Sequence, residues 1–339
     1  MGKHFFTFSK FFLAFFFLLS GQSQEAKASH AMGADLTYEC LGPNQYRLTY
    51  SFYRDCFGID APDSVRVNYT STCFGGGDLY LTPNPGSPNR ISATCDGVAT
   101  TCDGGTYTGI EEWIYSGIVN LPGPCADWKF SYGECCRNSA ITTLASAASN
   151  DLYVYSLLNS VDAPCNNSPT FSNKPVPFAC VGQRFCFNHG ANDIDGDSIT
   201  YQLITPLDDA ITPVTYAWPF SNTQPVVSAP PVIFSSISGD ICMVPTQADV
   251  TVFAVLVSEY RNGILIGQVE RDIQLTVNAC NNFLPTMTGI NGTPFFTKTI
   301  CANVPFNFWA ATIDADLITD TTTVEWDFGI AGANFITTG

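Results

Sequence analysis

The fold is decided by Thr251-Val-Phe-Ala-Val-Leu-Val-Ser-Glu-Tyr-Arg261, followed by Asn262-Gly263 and then Ile264 to Val277. Two apolar runs rich in β-branched residues suit strands, and Asn-Gly between them is a strong hairpin signal because both central residues of the turn need positive φ. Upstream, Phe185 and Phe187, then Ile199, Tyr201 and Leu203, alternate with polar residues at the period of two that marks a half-buried strand. Composition agrees: 22 Asp against 8 Glu, with 27 Gly and 21 Pro, favours turns and strands over helices. The sequence therefore reads as all-β, with this segment forming a β-sandwich.

The same segment belongs to a repeat. Cys180, Phe185, Phe187, Asp193 and Asp195 recur at a constant offset as Cys301, Phe306, Phe308, Asp314 and Asp316, and Cys165-Asn166-Asn167 recurs as Cys280-Asn281-Asn282. Solenoid units are about 20 to 50 residues long, so a repeat of this size implies tandem globular modules. One copy spans residues 163–279, and a second begins at 280 and stops at 339 without a closing hairpin, which reads as truncation. Ahead of them, residues 29–162 form a different, Cys-rich β module. Its expected strands are Ala34 to Leu41, Gln45 to Tyr53, Val65 to Tyr69, Glu112 to Val119 and Leu152 to Leu158. Cys73 to Gly109 reads as a stapled loop, and Ser139 to Ala148 as the one stretch able to form a helix.

Residues 1–28 have the layout of a signal peptide: Lys3 and Lys10, the apolar run Phe11 to Leu19, and a small-x-small site at Ala26-Lys27-Ala28. The run is too short to span a bilayer, which takes about 20 residues. The whole chain carries a net charge of -16, and removing the leader leaves 11 basic and 29 acidic residues, or -18. With no cationic stripe to neutralise phosphates, nucleic acid is excluded as a partner. Fourteen Cys in an exported chain read as disulfides. Cys186 and Cys242 are candidates to bridge; Cys165, Cys180, Cys280 and Cys301 are the repeat cysteines, and the neighbours Cys135 and Cys136 are expected to join different partners.

The candidate site is Asp193-Ile-Asp195-Gly-Asp197. Alternate residues of an extended loop share a side, so three carboxylates converge, and hard oxygen ligands in that number suit Ca2+. The second copy keeps Asp314 and Asp316. Enzyme signatures are absent: neither G-x-S-x-G nor H-E-x-x-H occurs, and His30 and His189 alone survive cleavage. His189 reads as structural or metal-adjacent. Glu111-Glu112 reads as a solvated edge, since neighbours on a strand face opposite ways. Trp113, Trp128 and Trp218 could stack on sugars or pack in a core.

The run 186–201, Cys-Phe-Asn-His-Gly-Ala-Asn-Asp-Ile-Asp-Gly-Asp-Ser-Ile-Thr-Tyr, resembles the signature of bacterial cadherin-like and Ig-like repeats, and Val324-Glu-Trp-Asp-Phe-Gly329 resembles the core of PKD domains. Ser29 to Gly42, Tyr53-Arg-Asp-Cys56 and Cys135-Cys-Arg-Asn138 resemble the start of large secreted surface proteins of gliding bacteria, which end in gliding-motility-associated or type IX secretion sorting domains. The resemblance implies tandem Ig-like or cadherin-like β-sandwiches, Ca2+ at Asp193, Asp195 and Asp197, and a non-enzymatic role. It implies surface display through a C-terminal region beyond residue 339 and adhesion; the expected partner is an extracellular protein or glycan, and no apolar run is long enough for a transmembrane segment. The alternative is the carbohydrate-binding N-terminal part of a longer secreted hydrolase.

Overall fold

The computed structural model describes residues 31–91, 99–106, 108–175 and 178–280, together with short stretches between 286 and 338. The leader, Cys95, Cys301, Asp314 and Asp316 lie outside the described residues. Strand dominates and no α-helix occurs among the described residues. In chain order the first strands are β1 (Ala31–Gly42), β2 (Gln45–Asp55), β3 (Val65–Ser71), β4 (Gly75–Pro83), β5 (Asn89–Ile91), β6 (Ile110–Asn120), β7 (Trp128–Glu134) and β8 (Leu152–Leu158). Then come β9 (Thr170–Phe171), β10 (Phe178–Cys180), β11 (Phe185–Asn188), β12 (Ala191–Asn192), β13 (Ser198–Ile204), β14 (Ile233–Phe234), β15 (Asp240–Met243), β16 (Val250–Arg261) and β17 (Ile264–Asn278). Beyond them, β18 (Thr286–Met287) pairs with β19 (Thr312–Ile313), and β20 (Thr323–Trp326) with β21 (Phe335–Thr338).

The opening hairpin organises everything else. Asn262 and Gly263 both take positive φ, 54° and 80°, as the turn between β16 and β17 requires. β16 holds one edge of β17 from Ile264 to Thr276, so all other partners of β17 use the opposite edge. Three strands share that edge in succession: β8 beside Gly267 to Val269, β1 beside Arg271 to Ile273, and β10, in parallel, beside Thr276 to Asn278. The close approach of β1 depends on Gly33, where a Cβ would sit 2.5 Å from the Asp272 carbonyl oxygen.

From β17 the strands β1, β2 and β6 run one way and β8, β7 and β3 the other, and β4 joins β3 to β6. This hydrogen-bonded path closes around an aromatic-rich core of Leu36, Tyr38, Leu48, Tyr50, Leu81, Tyr115, Trp128 and Phe130. A second core, with Phe187, Leu203, Ile241, Phe253, Val255, Ile273 and Leu275, lies between the β13-β16-β17 part of the sheet and the small sheet β11-β15-β14. Full burial of such a side chain contributes roughly 1.5–3 kcal/mol, so both cores outweigh the single polar contacts described below. Backbone pairing thus runs across residue 162, because β17 pairs with strands on both sides of it.

Charges lock the same seam on both faces of β17. Arg137 grips Asp272 with two hydrogen bonds of 3.1 and 2.6 Å, and Arg271 faces Asp35 at 3.4 Å while lying over the Phe171 ring. Arg137, Arg271, Asp35 and Asp272 are all buried. Taking these charges out of water is costly, and each is retained by its counter-charge.

Six disulfides staple the structure: Cys40–Cys165, Cys56–Cys102, Cys73–Cys125, Cys135–Cys136, Cys180–Cys280 and Cys186–Cys242. Cys186 and Cys242 are direct cross-strand neighbours in β11 and β15. Cys135 and Cys136 depart from expectation by bonding to each other across a cis peptide. Every other cysteine among the described residues is already held in one of the other five bridges, leaving these two only one another. Ser139 to Ala148 also departs from the expected helix, because its amides are used elsewhere. Thr142 donates to the Val250 carbonyl and Ala145 to that of Thr215. The expected Cys73 to Gly109 loop contains β4 and β5.

Candidate functional site

The Asp193–Asp197 loop sits between β12 and β13, against the end of the β16–β17 hairpin. Its residues do not converge in the way alternation suggests. Asp195 turns to Asn167, accepting from its backbone amide at 2.9 Å and from its side-chain amide at 2.8 Å. Asp193 accepts the Asp197 amide at 2.8 Å through Oδ1, which tightens the loop. Asp193 and Asp197 instead meet Glu259 of β16: one oxygen from each of the three lies within 4.8 Å of the others.

Arg261 partly neutralises the group. Its Nε donates to Asp197 Oδ1 at 2.8 Å, its Nη2 to Asp197 Oδ2 at 2.5 Å, and Nη2 also reaches Asn166 Oδ1 at 2.8 Å. The Arg261 hydrogen bonds hold the Asp197 carboxyl below its ordinary range. Glu259 is fully buried; its Oε1 accepts from Asn166 Nδ2 at 2.8 Å. Two oxygens remain without a partner, Asp193 Oδ2 and Glu259 Oε2, and both are buried. Burial, and secondarily the nearby Asp193 and Asp197, push Glu259 up to about 9.

Three other groups with metal-ligand composition occur among the described residues, around Cys56–Cys102, Cys73–Cys125 and Cys135–Cys136. Their sulfurs are tied in disulfides, so no thiolate is free to ligate. The oxygen-only Asp193, Asp197 and Glu259 set has the ligand chemistry of a hard cation, which on binding would displace the proton that burial keeps on Glu259.

Sequence reading located the loop but missed Glu259, Asn166 and Arg261. Glu259 carried a signal: it interrupts an apolar strand in phase with core-facing Val255 and Val257. Asn166 and Asn167 carried another, since the pair recurs in the second copy; Asn167 holds Asp195 and Asn166 bridges Glu259 and Arg261.

His189 is fully buried, makes edge-on contacts with Phe187 and Phe253, and has no hydrogen-bond partner on either nitrogen. Burial, then the Arg271 charge, lowers its pKa to about 3, so it is a neutral core residue. Glu270 is likewise buried with both oxygens unpaired, and burial holds its carboxyl well above its usual range.

Glu111 and Glu112 do not lie on a solvated edge. β6 is flanked by β2 on one side and by β4 and β5 on the other, which buries both carboxylates. Glu111 pairs with Arg54 at 2.9 Å and accepts the Trp113 indole at 3.1 Å. Glu112 accepts from Tyr53, Asn89 and Lys174.

The tryptophans separate. Trp128 is fully buried and Trp113 packs against the first core, whereas Trp218 is 93% exposed. Trp218 sits in a turn anchored by the Ala217 amide on the Thr143 carbonyl and closed by Phe220 on Ala217. Among the described residues no helix is long and apolar enough to cross a membrane. Comparison with protein-family models, curated proteins and solved structures returned no match.

Proposed function

We propose that the chain is a non-enzymatic, secreted or cell-surface adhesin-like protein. In this reading Ca2+ at Asp193, Asp197 and Glu259 clamps the acidic loop to the central hairpin. The exposed Trp218 turn meets an extracellular protein or glycan. The observation that carries it is the pair of buried, unpaired oxygens on Asp193 and Glu259, which a divalent cation would satisfy together. Six disulfides and the signal-peptide layout support an oxidising, extracellular setting. The non-enzymatic reading is supported by the sealed imidazole of His189 and by Glu111 and Glu112, whose oxygens are engaged by the protein's own donors.

Modules that bind calcium outside cells have dissociation constants of about 10⁻⁴–10⁻³ M, so millimolar Ca2+ is expected to raise the melting temperature by a few degrees. No shift would sink the calcium part. Trp218 also supports the alternative, a carbohydrate-binding part of a longer secreted hydrolase. A glycan array separates the two ligand classes: binding lost in Trp218→Ala favours glycan, and a blank array favours protein.

A further inference from the structure

Glu112 holds two different nitrogen groups on one buried carboxylate. Its Oε1 receives the Lys174 ammonium and the Tyr53 hydroxyl, the latter at 3.1 Å, and its Oε2 receives the Asn89 side-chain amide at 3.2 Å. Asn89 and Glu112 are direct cross-strand partners in β5 and β6, so their side chains leave the same face of the pair. Lys174 arrives from the loop ahead of β10, its side chain 49% exposed against 1% for that of Glu112. A small apolar cluster of Met32, Tyr53 and Ile110, with Ile91 and Phe178 packed on it, draws on β5, β6 and β10 as well.

A primary amine and a carboxamide bridged by a buried carboxylate are the components of intramolecular aminolysis. Well-oriented groups react with effective molarities of about 10⁵ M or more, and a shared carboxylate can move the proton both ways. We propose that Lys174 and Asn89 become joined by an isopeptide bond formed through Glu112. Glu112 takes a proton from the Lys174 ammonium, and the freed Nζ attacks Asn89 Cγ. The Nζ–Cγ bond forms, Nζ gives up a second proton, and Glu112 delivers a proton to Nδ2. The Cγ–Nδ2 bond then breaks and ammonia leaves, which regains the remaining proton to depart as ammonium. No oxidant or cofactor is consumed. The bond would tie β5 to the segment entering β10, beside the seam that the disulfides and buried ion pairs already hold, and it would survive reduction.

The test is mass spectrometry of the purified chain after complete reduction and alkylation. The wild type is expected to be lighter than its sequence mass by one ammonia, with a branched proteolytic peptide containing both Lys174 and Asn89. Lys174→Arg and Asn89→Ala, checked for native circular dichroism, are expected to show full sequence mass. A wild type at full mass, with the two residues in separate peptides, overturns the proposal. So does an ammonia loss that persists in Lys174→Arg, as cyclisation at Asn262-Gly263 would give.

Discussion

Two acidic sites in this molecule have opposite fates. Glu111 and Glu112 lie mid-strand and are surrounded by donors: Arg54, Trp113, Tyr53, Asn89 and Lys174. Asp193, Asp197 and Glu259 bring one oxygen each within 4.8 Å of the others, yet Arg261 answers mainly to Asp197 and leaves two buried oxygens unpaired. Density of acids therefore does not decide how a carboxylate is satisfied; the donors that neighbouring strands bring to it do.

The largest expected effect breaks the satisfied site. Arg54→Met leaves Glu111 buried with only the Trp113 indole and the distant, half-exposed Arg90, and should cost about 3 kcal/mol in denaturant unfolding.

A second prediction separates the buried imidazole of His189 from the carboxylates as the source of acid sensitivity. His189 has a folded pKa lowered to about 3, against an unfolded value near 6.5. The unfolded chain therefore binds the proton first, and stability is lost as pH falls from about 6.5 towards 3, by about 3 kcal/mol at pH 4. His189→Gln should flatten that slope in unfolding measured across this range. An unchanged slope would assign it to the carboxylates.

At the unsatisfied site, Asp193→Asn replaces the orphan oxygen with an amide that can donate to Glu259. In a calcium chelator it should be more stable than the wild type by about 1 kcal/mol, since a buried unpaired acceptor costs about that much. The same variant should lose its response to Ca2+, while Asp195→Ala, whose carboxylate serves Asn167, should keep most of it. Trp218→Ala should have the smallest effect on stability, within about 0.5 kcal/mol, because the side chain is almost fully exposed. Its effect belongs to ligand binding, read on the immobilised ligand or array.

Much of this architecture was legible in the chain. The Asn262-Gly263 turn and the five strands expected in the first module are encoded locally, by turn chemistry and period-two alternation. β4 was hidden because Gly75-Gly-Gly suggests a loop; only its neighbours show that the glycines admit Tyr69 and Thr70 of β3. β17 as a strand shared between two cores was not legible, because which edge it offers to β1, β8 and β10 depends on contacts far apart in sequence. The site shows the same division. The aspartates announce themselves by spacing, whereas Glu259 and Arg261 reach them through the hairpin, and the donors around Glu112 come from three separate segments.

The measurement that tests the contrast most directly is Ca2+ titration by calorimetry, with melting temperatures, on the wild type and on Glu259→Gln. One site with submillimolar to millimolar affinity, raising the wild-type melting temperature and absent from Glu259→Gln, is the expected result. No heat and no shift in the wild type, or an undiminished response in Glu259→Gln, would contradict it.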